Sequence, residues 1–259
     1  MSLIKTPDEI QKLKRGGELL SGVLRRVAAA CVVGASTEAL DKMAHDGIIA
    51  AGGKPSFLGH RISPSDPAFP STVCISINEE VVHGLATPDR IIKDGDIVGL
   101  DIGMWYEGLT TDMATTVMVG NVAPEVRELV KVTRASLEAG ISAIKAGGWV
   151  ADVGAAVEDL VKPHGYGIVK DLVGHGVGHA VHEEPNVPNY REPRAPSVRL
   201  QEGMVLAIEP MVTLGGWKVA VKDDDWTIVT RDGKPAAHFE LTIVVTKDGY
   251  ELVTPWPDA

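Results

Sequence analysis

The segment from Asp96 to Val119, DIVGLDIGMWYEGLTTDMATTVMV, constrains the fold more than any other part of the chain. Apolar and β-branched residues alternate with small or polar ones on both sides of Glu107-Gly108, the pattern of two strands joined by a two-residue turn. That register sets Tyr106 opposite Leu109, Gly103 opposite Asp112 and Asp101 opposite Ala114. Asp101 and Asp112 then share one face of the hairpin as diagonal neighbours, about 7–8 Å apart at the backbone. Carboxylates are depleted in strands and costly to bury unpaired, and two so close raise a pKa sharply unless a cation lies between them. From the hairpin alone the pair reads equally as solvated acids on an open sheet face or as half of a metal site.

The flanking sequence decides what surrounds this hairpin. Thr6-Pro7-Asp8-Glu9 carries an N-cap, a proline at the first helical position and a glutamate at the third, and starts a helix expected to reach Ala30. Its basic residues Lys12, Lys14, Arg15, Arg25 and Arg26 form either a solvated face or a docking surface for an acidic partner such as the ribosome. A second helix is expected from Thr37 to Ala51, stopped by Gly52-Gly53. A loop rich in proline and serine and a strand from Thr72 to Ile77 follow. The order then repeats: helices from Pro124 to Ala146 and from Ala151 to Lys162, a Gly/His-rich segment from Gly174 to Glu184, a Pro-rich loop to Ser197, and strands at Gly203–Thr213, Trp226–Thr230 and Phe239–Thr246. CVVGASTEALDKMAH from Cys31 echoes KAGGWVADVGAAVED from Lys145. Two helices followed by β structure, twice, make an α+β chain of duplicated halves. It reads as a single domain over residues 1–259, with halves of about 1–122 and 123–259 and a site between them.

The second half holds the mirror of the aspartate pair. Glu209 lies within VLAIEPMV and Glu240 within AHFELTIVV, each one carboxylate in an apolar strand. GHGVGHAVHEEP adds histidines: the three glycines oppose a helix, and in an extended segment His175, Val177 and His179 share a face. One imidazole with four carboxylates suits Mn²⁺, Fe²⁺, Co²⁺ or Zn²⁺, and four negative charges match two divalent ions better than one. Such a pair activates a bridging water and polarises a carbonyl or phosphoryl oxygen, with His83 and His182 placed to move protons or hold substrate. The residues alone reach metal-assisted hydrolysis and stop short of the substrate.

Composition removes several other classes. A formal charge of −10 argues against DNA binding through a basic surface. Cys31 and Cys74 form neither a metal motif nor a disulfide framework, and no apolar run is long enough to span a membrane or serve as a signal peptide. A cytoplasmic protein is expected.

The segments STVCISINEEVVHG, GDIVGLDIG, TTDMATT, GHGVGHAVHEEP, VLAIEP and HFELTIVVT, in this order, resemble the type I methionine aminopeptidases of the pita-bread fold over nearly the whole chain. With 30 residues between Glu209 and Glu240 there is no room for a type II helical insertion, and the chain is similar to the bacterial-type catalytic domain without an N-terminal zinc-finger extension. The resemblance implies removal of the initiator methionine from nascent proteins whose second residue is small, by a monomer with two divalent ions. By the family pattern Asp101 holds one metal, His175 and Glu209 the other, and Asp112 and Glu240 bridge them, with Glu209 as general base. His83 is implied near the scissile amide, His182 at the bound carbonyl, Cys74 and Trp226 in the methionine pocket, and Asn78, Glu80 and Ala236 at a monovalent cation held by backbone carbonyls. Two departures concern the pocket. Val181 stands where many members carry Phe, and the loop from Leu58 to Pro70 looks longer than in minimal members, with His60 and Phe69 near places where Tyr is common. The alternatives are an Xaa-Pro aminopeptidase or prolidase of the same fold, and a non-enzymatic binding protein on it.

Overall fold

A computed structural model of the chain describes residues 3–61, 63, 67–193 and 198–258. Part of the Leu58–Pro70 loop and the end of the Pro-rich loop at Ser197 lie outside the described residues. The elements run α1 (Pro7–Ala30), α2 (Thr37–Ala50), β1 (Lys54–Pro55), β2 (Val73–Ile77), β3 (Glu80–Val82), β4 (Ile97–Tyr106) and β5 (Leu109–Met118). They continue with α3 (Pro124–Ser142), α4 (Val150–Val161), β6 (Gly167–Ile168), β7 (Gly174–Gly176), β8 (Glu183–Val187), β9 (Val205–Ile208), β10 (Met211–Thr213), β11 (Val219–Val221), β12 (Ile228–Thr230), β13 (Ala236–His238), β14 (Glu240–Val245) and β15 (Tyr250–Leu252).

The α1 start is the expected capping box: the Thr6 hydroxyl accepts the Glu9 amide at 3.3 Å, and the Glu9 carboxylate accepts the Thr6 amide at 2.7 Å. Leu13, Leu20, Leu24 and Val27 form its buried stripe. The third helix ends at Ser142, not at Ala146. There the last turn tightens, with the Ala143 and Ile144 amides bonded three residues back to Gly140 and Ile141, and the Ala146 amide is taken by the Thr246 carbonyl across the fold.

The hairpin has the expected register, with Tyr106 against Leu109, Gly103 against Asp112 and Asp101 against Ala114. Positive φ at Glu107 (48°) and Gly108 (83°) makes it the left-handed turn that matches strand twist. It lies inside a large sheet ordered β1-β4-β5-β14-β9-β7-β8, with β2 also on β4 and β15 also on β14. The α1 helix packs on β4 and β5, while α3 packs on α4, β9, β10 and β13.

One expected strand is broken in two, and a second is preceded by a short strand of its own. Gly203–Thr213 becomes β9 and β10, separated by Glu209-Pro210, and Phe239–Thr246 is entered through β13, separated from β14 by Phe239. In each case one piece belongs to the large sheet and the other to a small sheet ordered β13-β10-β6. Proline has no N–H for a ladder, so the chain leaves one sheet at Pro210 and joins the other.

Candidate metal centre

The registers place the acids on one line across the large sheet. Cys74 of β2 pairs with Asp101 of β4, Asp101 with Ala114 of β5, and Ala114 with Glu240 of β14. Asp112 is two residues from Ala114 on the same face. On the other side of β14, Leu241 pairs with Ile208, so Glu240 stands beside Glu209, and Ala207 pairs with His175 of β7. The glycines around His175 permit this approach: a Cβ at Gly174 would lie 2.5 Å from the Ala207 carbonyl oxygen, and one at Gly176 2.3 Å from that of Glu184.

The glycine-rich segment does not stay extended as expected. After Gly176 the chain turns through Gly178, at φ +139°, and His179 leaves the face of His175. His179 Nε2 instead meets Glu9 Oε1 at 2.7 Å, and its amide donates to Glu183.

Asp101, Asp112, His175, Glu209 and Glu240 line one cavity of about 570 Å³, together with His60, Phe69, Cys74, His83, Val181, His182 and Trp226. Ligand-type atoms of Asp112, His175 and Glu240 lie within 4.8 Å of one another, as do those of Glu209, His238 and Glu240. Asp101 joins the same wall without entering either tight group. The electrostatics of the four acids ask for a cation. Asp101 Oδ1, Asp112 Oδ1 and Glu240 Oε1 are buried without a hydrogen-bond partner among the described residues. Burial pushes the Asp101 carboxyl up to about 7. It pushes Asp112, Glu209 and Glu240 well above the usual carboxylate range, with the neighbouring carboxylate charges adding to each. His175 Nδ1 donates to the Gly176 carbonyl at 2.9 Å, which leaves the Nε2 lone pair free, 3.4 Å from Glu209 Oε1. Orphaned oxygens, an aligned imidazole lone pair and a mostly oxygen donor set fit a hard or borderline divalent ion.

His83 sits in the left-handed backbone region at φ +59°, which aims its ring into the cavity. Burial, then the nearby His60, lowers its pKa to about 4, so the ring is neutral at physiological pH. His182 stands at the rim, its ring 4.5 Å from that of His175 and 5.6 Å from that of His60. Desolvation, then the His175, His60 and His83 rings, lowers its basicity.

Beside the acids, Phe57, Phe69, Cys74, Val181 and Trp226 form an apolar cluster. Phe69 meets Trp226 edge to face at 5.1 Å. Trp226 is fixed by Asp224, whose carboxylate accepts the Trp226 amide at 2.9 Å and the Thr227 amide at 2.7 Å. Burial, then the Asp101, Asp112 and Glu240 charges, raises the Cys74 thiol well above its usual range, so it is a soft protonated wall rather than a nucleophile. Phe57, which was not singled out in the sequence, stands in this cluster with Val181. His238 was passed over as well. Its place two residues before Glu240 gave no usable signal, because the chain changes sheets at Phe239 between them.

Of the expected monovalent-cation carbonyls, that of Asn78 accepts the Ala236 amide at 2.8 Å. The Glu80 side chain pairs with Arg90 and, at 2.7 Å, with Lys222. On α1, Lys14 pairs with Glu251, Arg15 lies 3.7 Å from Glu107, and Arg25 Nε donates to the Pro257 carbonyl at 2.7 Å.

Residues 11–247 match the model of metallopeptidase family M24. The chain belongs to this family and has its pita-bread fold. Among its relatives a methionine aminopeptidase of Borreliella burgdorferi is 46% identical over 250 residues, 96% of each chain. The crystal structure of a methionine aminopeptidase from Thermotoga maritima superposes with a TM-score of 0.90 at 42% identity, over 97% of this chain and 98% of that one. A prolidase from Pyrococcus furiosus shares the fold at a TM-score of 0.74 and 22% identity, with 65% of its own length covered.

Proposed function

We propose that this chain is a metal-dependent aminopeptidase that removes the N-terminal methionine of nascent proteins when the second residue is small. The observation that carries the reading is the contact between two unlike surfaces. An apolar pocket of Phe57, Phe69, Cys74, Val181 and Trp226 adjoins a buried set of four acids and an imidazole. A thioether side chain suits the first, and hydrolysis of the adjacent amide suits the second. The match to methionine aminopeptidases over nearly full length favours this reading over a prolidase, which the chain resembles at the level of the fold alone.

Asp101, Asp112, His175, Glu209 and Glu240 are the proposed ligands and would hold two divalent ions, with Asp112 and Glu240 serving both. Four carboxylates carry the charge that two such ions balance. When bound, the ions supply Lewis acidity, polarising the scissile carbonyl and lowering the pKa of water. The chain's own groups do the rest. Glu209 takes the proton of the attacking water and returns it toward the leaving amine. Neutral His83 hydrogen-bonds the scissile amide, and His182 donates to the carbonyl oxygen as its negative charge grows. Cys74, Trp226, Phe69 and Val181 hold the methionine side chain so that the first peptide bond lies over the acids. Availability decides which of Co, Mn, Fe or Zn fills the site in the cell. The Asn78, Glu80 and Ala236 carbonyls are the proposed holders of a monovalent ion, and Lys12 and its neighbours on α1 the proposed ribosome contact of a cytoplasmic monomer.

Purified protein supplied with Mn²⁺ or Co²⁺ should release Met from Met-Ala-Ser and leave Met-Lys-Ser nearly uncut. Preferential cleavage of Xaa-Pro peptides would move the assignment to the prolidase group. Elemental analysis gives the ion and its number per chain.

A further inference from the structure

The two oxygens of Glu209 face two imidazoles. Oε1 lies 3.4 Å from His175 Nε2, and Oε2 lies 3.7 Å from His238 Nε2, which is itself 3.9 Å from Glu240 Oε2. The two rings are prepared for different work. His175 spends its Nδ1–H on a carbonyl and turns a lone pair to the cavity. His238 Nε2 is buried, has no hydrogen-bond partner among the described residues and faces two carboxylates, so a lone pair there would oppose both. The proton therefore belongs on Nε2, which makes the ring a hydrogen-bond donor.

The backbone keeps that ring in place. The His238 amide donates to Thr116 Oγ1 at 3.0 Å, and the Thr116 hydroxyl donates to the His238 carbonyl at 2.7 Å. In the small sheet His238 pairs with Met211, two residues beyond Glu209, so the two side chains approach from adjacent strands. We propose that His238 is a positioning residue for Glu209. Closing the 3.7 Å gap by under about 1 Å would let its Nε2–H donate to Glu209 Oε2 and so hold Oε1 on the His175 side, where a cation shared with that imidazole would sit. A neutral imidazole adds a donor without adding charge to a set that two divalent ions would balance. The inference rests on the reading of the five residues as metal ligands and adds a sixth group to them.

The test compares donors of different reach in chelator-stripped protein titrated with Mn²⁺ by calorimetry. His238→Gln keeps an N–H donor at similar reach and should bind Mn²⁺ within about 3-fold of wild type, whereas His238→Leu should weaken binding about 10–100-fold. His238→Asn keeps a donor that falls short, and should behave like the leucine variant; it decides the matter if the leucine variant does not fold. On Met-Ala-Ser the leucine and asparagine variants should lose kcat with KM little changed, and the glutamine variant should recover it. Wild-type Mn²⁺ affinity in both His238→Leu and His238→Asn would overturn the proposal. A His238→Gln variant as weak as His238→Leu would overturn it too, because the ring nitrogen would then be a ligand. Wild-type protein that binds Mn²⁺ yet spares Met-Ala-Ser would remove the aminopeptidase reading and leave the affinity comparison to judge His238.

Discussion

Replacing Lys5 with methionine should cost the protein about 3 kcal/mol and disturb catalysis through a residue it never touches. Lys5 is buried, its side chain only 1% exposed, and its Nζ lies 2.7 Å from Glu183 Oε2. The other Glu183 oxygen accepts the amides of His179 and Ala180, closing the turn that carries Val181 and His182 to the cavity. The Lys5 backbone is tied to the Gly203 carbonyl at 2.9 Å, and its stem lies against Gly178, where a Cβ would fall 2.5 Å from Lys5 Cε. The N-terminal segment thus clamps the His182 turn.

Removing one partner of a buried pair costs about 3–5 kcal/mol. The lower end applies here because the two amides continue to stabilise the Glu183 carboxylate. At about 2.1 cal/mol/K of unfolding entropy per residue, 259 residues convert 3 kcal/mol into a drop in Tm of about 5–6 °C. The pH dependence has a definite sign. Burial pushes the Glu183 carboxyl up, but Lys5 and the Ala180 and His179 amides outweigh it and hold it below its usual value. A depressed carboxyl contributes stability above its unfolded value, 4.5, and loses it as the pH falls through the folded one. The gap between wild type and Lys5→Met should therefore be full at pH 7 and shrink below about 4.5. Thermal and urea unfolding measure the cost, and kcat should fall while bound metal stays at the wild-type level. Lys5→Met combined with Glu183→Gln should recover much of the stability, because it removes the stranded charge and keeps an acceptor for the amides. A loss under about 1 kcal/mol at pH 7 with unchanged kcat would refute the clamp, that being the worth of an ordinary surface pair.

Asp112→Ala should abolish Met-Ala-Ser cleavage and lower bound metal by elemental analysis, if Asp112 serves both ions as proposed; surviving activity would sink the two-ion arrangement. Stripping the metal should invert the acid side of the stability curve. In the metal-free fold Asp101 titrates near 7 against 3.8 unfolded, so the folded chain holds more protons across that window and stability falls as pH rises from about 4 to 7. Thermal unfolding of chelator-treated protein at pH 5 and pH 7.5 reads this, and a stripped protein equally stable at both would contradict it. Val181→Phe should force a fourth aromatic side chain into the space closed by Phe57, Phe69, Cys74 and Trp226. The expected result is a raised KM for Met-Ala-Ser in steady-state kinetics, and an unchanged KM would show that the pocket has room to spare.

The hairpin was readable to the residue because its signals are local: alternation on both arms and a Glu-Gly turn whose positive φ angles fix one register. The α1 start was readable for the same reason, since a capping box is four adjacent residues. What escaped depends on distant partners. The end of α3 is set by the Thr246 carbonyl, about a hundred residues away. Lys5 sits in an unremarkable MSLIKTP and gives no sign that it is buried, because its partner is Glu183. His179 was expected on the face of His175 in an extended segment, and only the turn at Gly178 sends it to Glu9 instead.

The strand breaks explain why the acids of the second half were visible as chemistry and not as geometry. Within one ladder, alternate residues face opposite sides and a carboxylate is committed to whatever layer covers its face. Asp101 and Asp112 follow that rule on β4 and β5. Glu209 and Glu240 stand where the chain passes between the large sheet and the small one, at Pro210 and at Phe239. The crossing brings the last residue of β13, His238, close to both Glu209 and Glu240. Sequence alternation assigns a face to each residue of an unbroken strand, but it carries no information about which sheet the next residue joins. The carboxylates could therefore be counted from the sequence, while the imidazole that orients one of them emerges from the path of the chain between the sheets.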